Sequence, residues 1–230
     1  RRRICVRAAS HRVAGHLAAL GVDPSRITTL PIVFHGAGCT DAHTVSRERD
    51  LHTRYPSAEV IILAVGRLVK EKNFSLLIRA FATVVRKHPT ARLVIVGSGP
   101  EKDALATLAE KNISAGSVSF VPWTNDIASY MKSADIFALS SYREGWGRVI
   151  VEAMAAGLPG VVTDVGCAGE VFVHERHGFV VPVDDEAALA NALARLVADP
   201  VLRREYGTQA VRDARLDTAD KLLPVRIHIL

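Results

Sequence analysis

From Val60 onward, short apolar runs alternate with amphipathic stretches, and this rhythm constrains the fold more than any other feature of the chain. Residues 60–65, 91–96, 118–121, 136–139, 160–163 and 179–181 read as strands, apolar enough to be buried on both faces. Residues 74–88, 101–111, 126–133, 148–156 and 186–198 read as helices. Such an alternation demands right-handed crossovers, and so a parallel sheet with helices on both faces: an α/β, Rossmann-like domain. Ligands of these sheets lie beyond the carboxyl ends of the strands. The loops after Val65, Val96, Val121, Leu139 and Thr163 are therefore expected to share one functional edge.

The chemistry is concentrated in one of those loops, with the helix that follows it. Residues 140–159 read SSYREGWGRVIVEAMAAGLP. A Gly145-Trp146-Gly147 turn opens a helix at Arg148, and Gly157 and Pro159 close it. A strand, a glycine-bearing turn and a helix in that order aim free N–H groups and the positive end of a helix dipole at an anion. Glu144 and Glu152 bracket the helix start. They cannot serve an anion, but they can accept hydrogen bonds from hydroxyl groups attached to it, as in a phosphate flanked by sugars. The loop after the first strand carries Arg67 and Lys72. Either cation alone is an ordinary surface charge; together on the ligand edge they suit a diphosphate. Paired carboxylates also equip glycoside hydrolases, but such enzymes have no use for a diphosphate grip. Trp123 follows the strand over 118–121, and it either flanks a nucleobase or serves as a core or lid aromatic. Gly97-Ser98-Gly99-Pro100 lacks the third glycine of a dinucleotide fingerprint and reads as a tight structural turn.

Composition narrows the classes. With 230 residues, 49% of them hydrophobic and 23% charged, the chain can bury a full core. A net charge of +5 suits phosphate or an anionic membrane face, but no aromatic and basic interleaving points to nucleic acid. The 3 cysteines lie far apart with no paired spacing, which fits a reducing cytoplasm, and the 9 histidines show no metal-ligand spacing and are expected mostly at the surface. No run approaches the ~20 apolar residues of a membrane helix.

Five segments carry a resemblance. VGRLVKEKN, VGSGPE, EGWGRVIVEAMAAGLP, TDVGCAGEV and HGFVVPVDD, in this order between Val60 and about Ala214, resemble the donor-binding half of retaining GT-B glycosyltransferases of family four, also labelled group one. The earlier VRAASHRVAGHLAALGVDPSRITTLP resembles the end of that family's N-terminal domain, which accounts for an acid-free N-terminus better than a transit peptide does. The resemblance implies that Arg67 and Lys72 hold the donor diphosphate, Glu152 the ribose hydroxyls and Glu144 a hydroxyl of the transferred sugar. Backbone N–H groups of residues 145–149 would contact sugar and phosphate. The full donor-binding set is Gly66, Arg67, Lys72, Trp123, Glu144, Gly145, Trp146, Gly147, Arg148, Val149 and Glu152, with Arg67, Lys72 and Glu144 catalytic. No metal and no cofactor are expected, the nucleotide-sugar being a substrate.

The expected organisation is a remnant of the acceptor domain and linker over 1–54, the donor-binding domain over 55–216 and a tail over 217–230. Residues 6–20 read as a helix, 27–34 as a strand interrupted by Pro31, and 35–54 as the linker. The chain departs from the family pattern at Pro31-Ile32-Val33, at Gly160, where a β-branched residue is usual, and in its closing DKLLPVRIHIL. The expected activity is transfer of a sugar, with retention, to a glycan, lipid-linked or small polyol acceptor in cell-wall, polysaccharide or glycolipid synthesis. The alternatives are a GT-B epimerase and a non-catalytic nucleotide-binding module. The expected setting is cytoplasmic, with peripheral contact at the inner membrane face, and most of an N-terminal domain is expected to be missing, leaving these residues inactive alone.

Overall fold

The computed structural model describes residues 5–29 and 50–219. At its start, β1 (Val6–Ala8) runs parallel to β2 (Ile27–Thr29) with Val6 opposite Ile27, and α1 (His11–Ala19) connects them. The single helix expected over 6–20 is therefore divided. Ser10 adopts extended backbone and its Oγ accepts from the Val13 N–H at 3.1 Å, so the helix starts only at His11. The strand expected over 27–34 is described only to Thr29, and Pro31 and most of the expected linker lie outside the described residues. The described end of that linker is a correction: Asp50 accepts from the Thr53 N–H and opens α2 (Leu51–Arg54), which sinks Leu51 fully into the core.

The remaining elements follow the expected alternation: β3 (Val60–Val65), α3 (Phe74–Lys87), β4 (Ala91–Val96), α4 (Lys102–Asn112), β5 (Val118–Val121), α5 (Ile127–Ser133), β6 (Ile136–Leu139), α6 (Arg148–Ala155), β7 (Gly160–Thr163), β8 (Gly178–Val181), α7 (Glu186–Ala198) and α8 (Pro200–Ala219). The strands form one six-stranded parallel sheet in the order β5-β4-β3-β6-β7-β8. Alternate side chains of the strands enter two cores. Ile62, Ala64 and Leu93 meet α3, α4 and α7 through Phe81, Leu105 and Leu193; Ile61, Leu63 and Phe137 meet α2, α5, α6 and α8 through Leu51, Met131, Met154 and Ala210.

Three local departures have physical reasons. Helix α8 has charged residues on nearly every turn and no clear apolar stripe, but Asp199 starts it, accepting from the Val201 and Leu202 N–H groups at 2.9 Å with Pro200 as first helical residue. The boundary expected at 216/217 falls inside this helix. Gly160 takes the place of a β-branched residue because any Cβ there would stand 3.1 Å from the Phe172 ring, which fills the space instead. His177 is the one buried histidine among the described residues, where most were expected at the surface. Its Nδ1 accepts from the Val173 N–H at 3.0 Å and its Nε2 meets Asp213 of α8 at 2.8 Å. Among the described residues no helix is long and apolar enough to cross a membrane.

Candidate functional site

The order of the strands reverses between β3 and β6: the chain moves outward to β4 and β5 on one side, and to β7 and β8 on the other. Such a switch point opens a crevice at the carboxyl ends of the strands, and the loops after β3 and β6 form its walls.

The first wall rests on the glycine turn after β4. Gly66 N–H donates to the Val96 carbonyl, Leu68 N–H to that of Ser98, and Glu101 N–H to that of Leu68. A Cβ on Gly97 would lie 1.9 Å from the Gly66 oxygen, and one on Gly99 2.3 Å from that of Leu68. Only glycines let the two loops approach so closely; the 97–100 turn is structural, as its sequence suggested, and it braces Gly66 and Leu68. Arg67 projects into solvent, with no ion pair among the described residues. A 3₁₀ turn over Lys70–Lys72 and a left-handed Asn73 (φ 45°) then bend the chain back into α3.

The second wall is built on buried serines. Ser140 Oγ donates to the Lys72 carbonyl at 3.0 Å, Ser141 Oγ to Glu144 Oε1 at 2.7 Å, and Thr163 Oγ1 of β7 to the Ser141 carbonyl at 2.8 Å. The two walls meet where Lys72 Nζ contacts Glu144 Oε1 at 2.5 Å, the lysine 21% and the carboxylate 10% exposed. These serines are missing from the expected set. Two hydroxyls directly after a buried strand at the switch point were the available signal.

The turn beyond Glu144 leads into α6. Gly147 holds a left-handed φ of 82°, and a Cβ there would press on Ile150 at 2.9 Å. No side chain caps α6; the Ile150 N–H donates to the Gly147 carbonyl at 2.8 Å, and the turn is left without a side-chain acceptor. Trp146, placed in the donor-binding set, buries its ring in the core and offers the crevice backbone alone; its carbonyl accepts from the Cys167 N–H. Gly145 has open space where a side chain would stand. Arg148 is exposed, Val149 partly buried. Glu152 lies one turn into α6 with its carboxylate 3.6 Å from the Arg148 guanidinium. Burial raises its pKa, and Arg148 opposes the rise. Trp123 is 56% exposed on the loop after β5, two strands from β3, its N–H held by Ser98 Oγ at 3.2 Å. It is thus no core aromatic. The structure brings Gly66, Lys72, Glu144 and the turn into α6 together at the switch point; Arg67 is exposed beside Gly66, Glu152 pairs with Arg148 of its own helix, and Trp123 stands on the loop two strands from β3.

Comparison with known proteins shows the family and the fold. The family model for glycosyl transferases group 1 matches residues 49–213. The lipopolysaccharide core biosynthesis glycosyltransferase LpsD of Rhizobium meliloti is 30% identical over 184 residues, which cover 75% of this chain and 52% of that protein. The Anabaena HepE crystal structure in complex with UDP and glucose superposes with a TM-score of 0.83 at 24% identity, covering 94% of this chain and 59% of HepE. The crystal structure of the C-terminal domain of a glycosyl transferase group 1 protein, LpcC of Francisella tularensis, gives a TM-score of 0.71 at 21% identity and is itself covered to 97%. The chain spans about half the length of the curated relatives it matches. Its fold is the C-terminal half of a GT-B glycosyltransferase, and the chain belongs to the group 1 glycosyl transferases.

Proposed function

We propose that this chain is the donor-binding half of an enzyme that transfers a sugar from a nucleotide diphosphate to an acceptor, with retention of configuration. The observation that carries the reading is the Lys72–Glu144 pair, closed across the switch point beside an uncapped helix N-terminus. When the bond between the sugar C1 and the diphosphate oxygen breaks, negative charge grows on the leaving phosphate. Lys72, Arg67 and the N–H groups of α6 stabilise that charge without a metal. On donor binding Lys72 is shared with the phosphate, leaving Glu144 free to accept from a sugar hydroxyl. Glu152 takes the ribose hydroxyls, and the exposed Trp123 flanks the base.

HepE was solved with UDP and glucose, which makes UDP the first nucleotide to test. LpsD is named for lipopolysaccharide core synthesis, which supports a glycan or lipid-linked acceptor and favours transfer over an epimerase or a non-catalytic module. The net charge of +5 supports peripheral contact with an anionic membrane from the cytoplasmic side. The test is transfer of labelled sugar from a panel of nucleotide-sugars to glycan, lipid-linked and polyol acceptors. Residues 1–230 are assayed alone and joined to the acceptor domain of a relative. Donor binding by the chain alone, with transfer only when the acceptor domain is present, is the expected result, because the alignment of two reactants is worth roughly 10⁵–10⁸ M. Robust transfer by residues 1–230 alone overturns the half-site reading.

A further inference from the structure

The loop between β8 and α7 has no part in the site described above, yet it reaches both of its walls. Asp184 there adopts a left-handed backbone (φ 62°), and its Oδ1 accepts from Asn73 Nδ2 and from the Tyr142 hydroxyl, each at 3.2 Å. Asn73 directly follows Lys72, and Tyr142 stands two residues before Glu144. A third strand of the sheet is thus tied to the two loops that carry the ion pair.

Asn73 shows that this tie is built in. It is the residue before α3, where an asparagine side chain ordinarily caps the helix, yet it makes no cap bond. Its backbone is left-handed, it is only 4% exposed, and its amide turns to Asp184. Ser75 Oγ donates to Asn73 Oδ1 at 3.0 Å, which fixes the amide with its N–H groups toward Asp184. The left-handed Asn73 joins the turn that carries Lys72 to the start of α3. On the other wall, the Tyr142 N–H donates to the Glu71 carbonyl at 2.9 Å. Asp184 itself is presented on a fixed base: Asp185 caps α7 through the Ala188 N–H at 2.8 Å, and Glu186 pairs with Arg79 of α3 at 2.7 Å. Two non-glycine residues in the left-handed region persist only where their surroundings hold them.

We infer that Asp184 is a positioning residue, which holds Asn73 and Tyr142 so that Lys72 and Glu144 meet in register for a donor diphosphate. The inference rests on the donor-site reading for its ligand, but the register of the ion pair is testable without one.

Asp184→Gly removes the carboxylate and suits the positive φ, whereas Asp184→Asn keeps an accepting oxygen. In the ligand-free chain, a double-mutant cycle of Lys72→Met and Glu144→Gln, read by urea unfolding, gives the coupling of the pair. That coupling is expected to be lost in the Asp184→Gly background and kept in Asp184→Asn. Calorimetry should then show UDP bound roughly tenfold more weakly by Asp184→Gly, with uridine unchanged and Asp184→Asn close to the parent. Unchanged coupling in Asp184→Gly, or equal behaviour of the two variants, overturns the inference. If the parent chain binds no nucleoside diphosphate, the donor reading fails instead, and the coupling measurement alone decides the role of Asp184.

Discussion

A methyl group on the Cα of Gly97 would stand 1.9 Å from the carbonyl oxygen of Gly66, the residue directly after β3. Backbone cannot yield as a flexible side chain does, so Gly97→Ala has to push the 66–68 segment outward. The expected cost is about 1–3 kcal/mol in urea unfolding, together with weaker UDP binding, because Arg67 moves with its neighbour. Unchanged stability and affinity would mean that the two loops are not wedged together.

Lys72→Met tests the ion pair as a structural element. The Glu144 carboxylate keeps the Ser141 hydroxyl but loses its cation while only 10% exposed. The variant should lose roughly 1–3 kcal/mol of unfolding free energy, and Lys72→Met/Glu144→Gln should recover part of it. A single variant as stable as the parent contradicts a closed pair.

The proposed role of Glu152 is to accept from two ribose hydroxyls. The parent chain should therefore bind UDP roughly tenfold better than its 2′-deoxy form, and Glu152→Ala should bind both alike. Competition titration checks this. A preference that survives in full makes Glu152 a structural residue of α6.

The tie between α8 and the segment before β8 sets a pH dependence. Burial pushes the His177 imidazole below its ordinary value of 6.5, and protonating Nδ1 would break its bond from the Val173 N–H. The unfolded chain therefore takes up the proton first as pH falls below 6.5, and stability declines from there toward the lower folded value. Asp213 adds a second decline in more acid solution. Arg176 foremost, with His177 and Gln209, holds its carboxyl well below the usual range, so its contribution is lost as pH falls through and below about 3.9. Thermal midpoints measured from about pH 7.5 down to about pH 5 should fall, and His177→Gln should flatten that first decline. Identical slopes would assign the decline to other groups.

Much of this was legible in the sequence because buried parallel strands announce themselves locally. Ile61, Leu63 and Phe137 sit in short apolar runs ended by turn residues, and their positions follow from those runs alone. Arg67, Lys72, Glu144 and Glu152 fell on the ligand edge once the sheet was inferred. What escaped depends on partners distant in the chain. Val6 is extended because it pairs with Ile27, Leu51 is buried because the second core accepts it, and Trp146 lies in a polar loop yet fills that core. Asp184 is a short polar residue whose meaning appears only when three loops meet. Helix α8 hid its start in the pair Asp199-Pro200, a cap and a first-turn proline that its charged sequence obscured.

The central claim is that Arg67 and Lys72 grip a diphosphate without a metal. The most direct measurement is calorimetry of UDP and of uridine against the parent chain, Arg67→Ala and Lys72→Ala, all with chelator present. The parent should bind UDP more tightly than uridine. Each variant should then lose roughly 10–100-fold for UDP and stay within about twofold for uridine. Equal losses for both ligands, or UDP binding that appears only when magnesium or manganese is added, would contradict it.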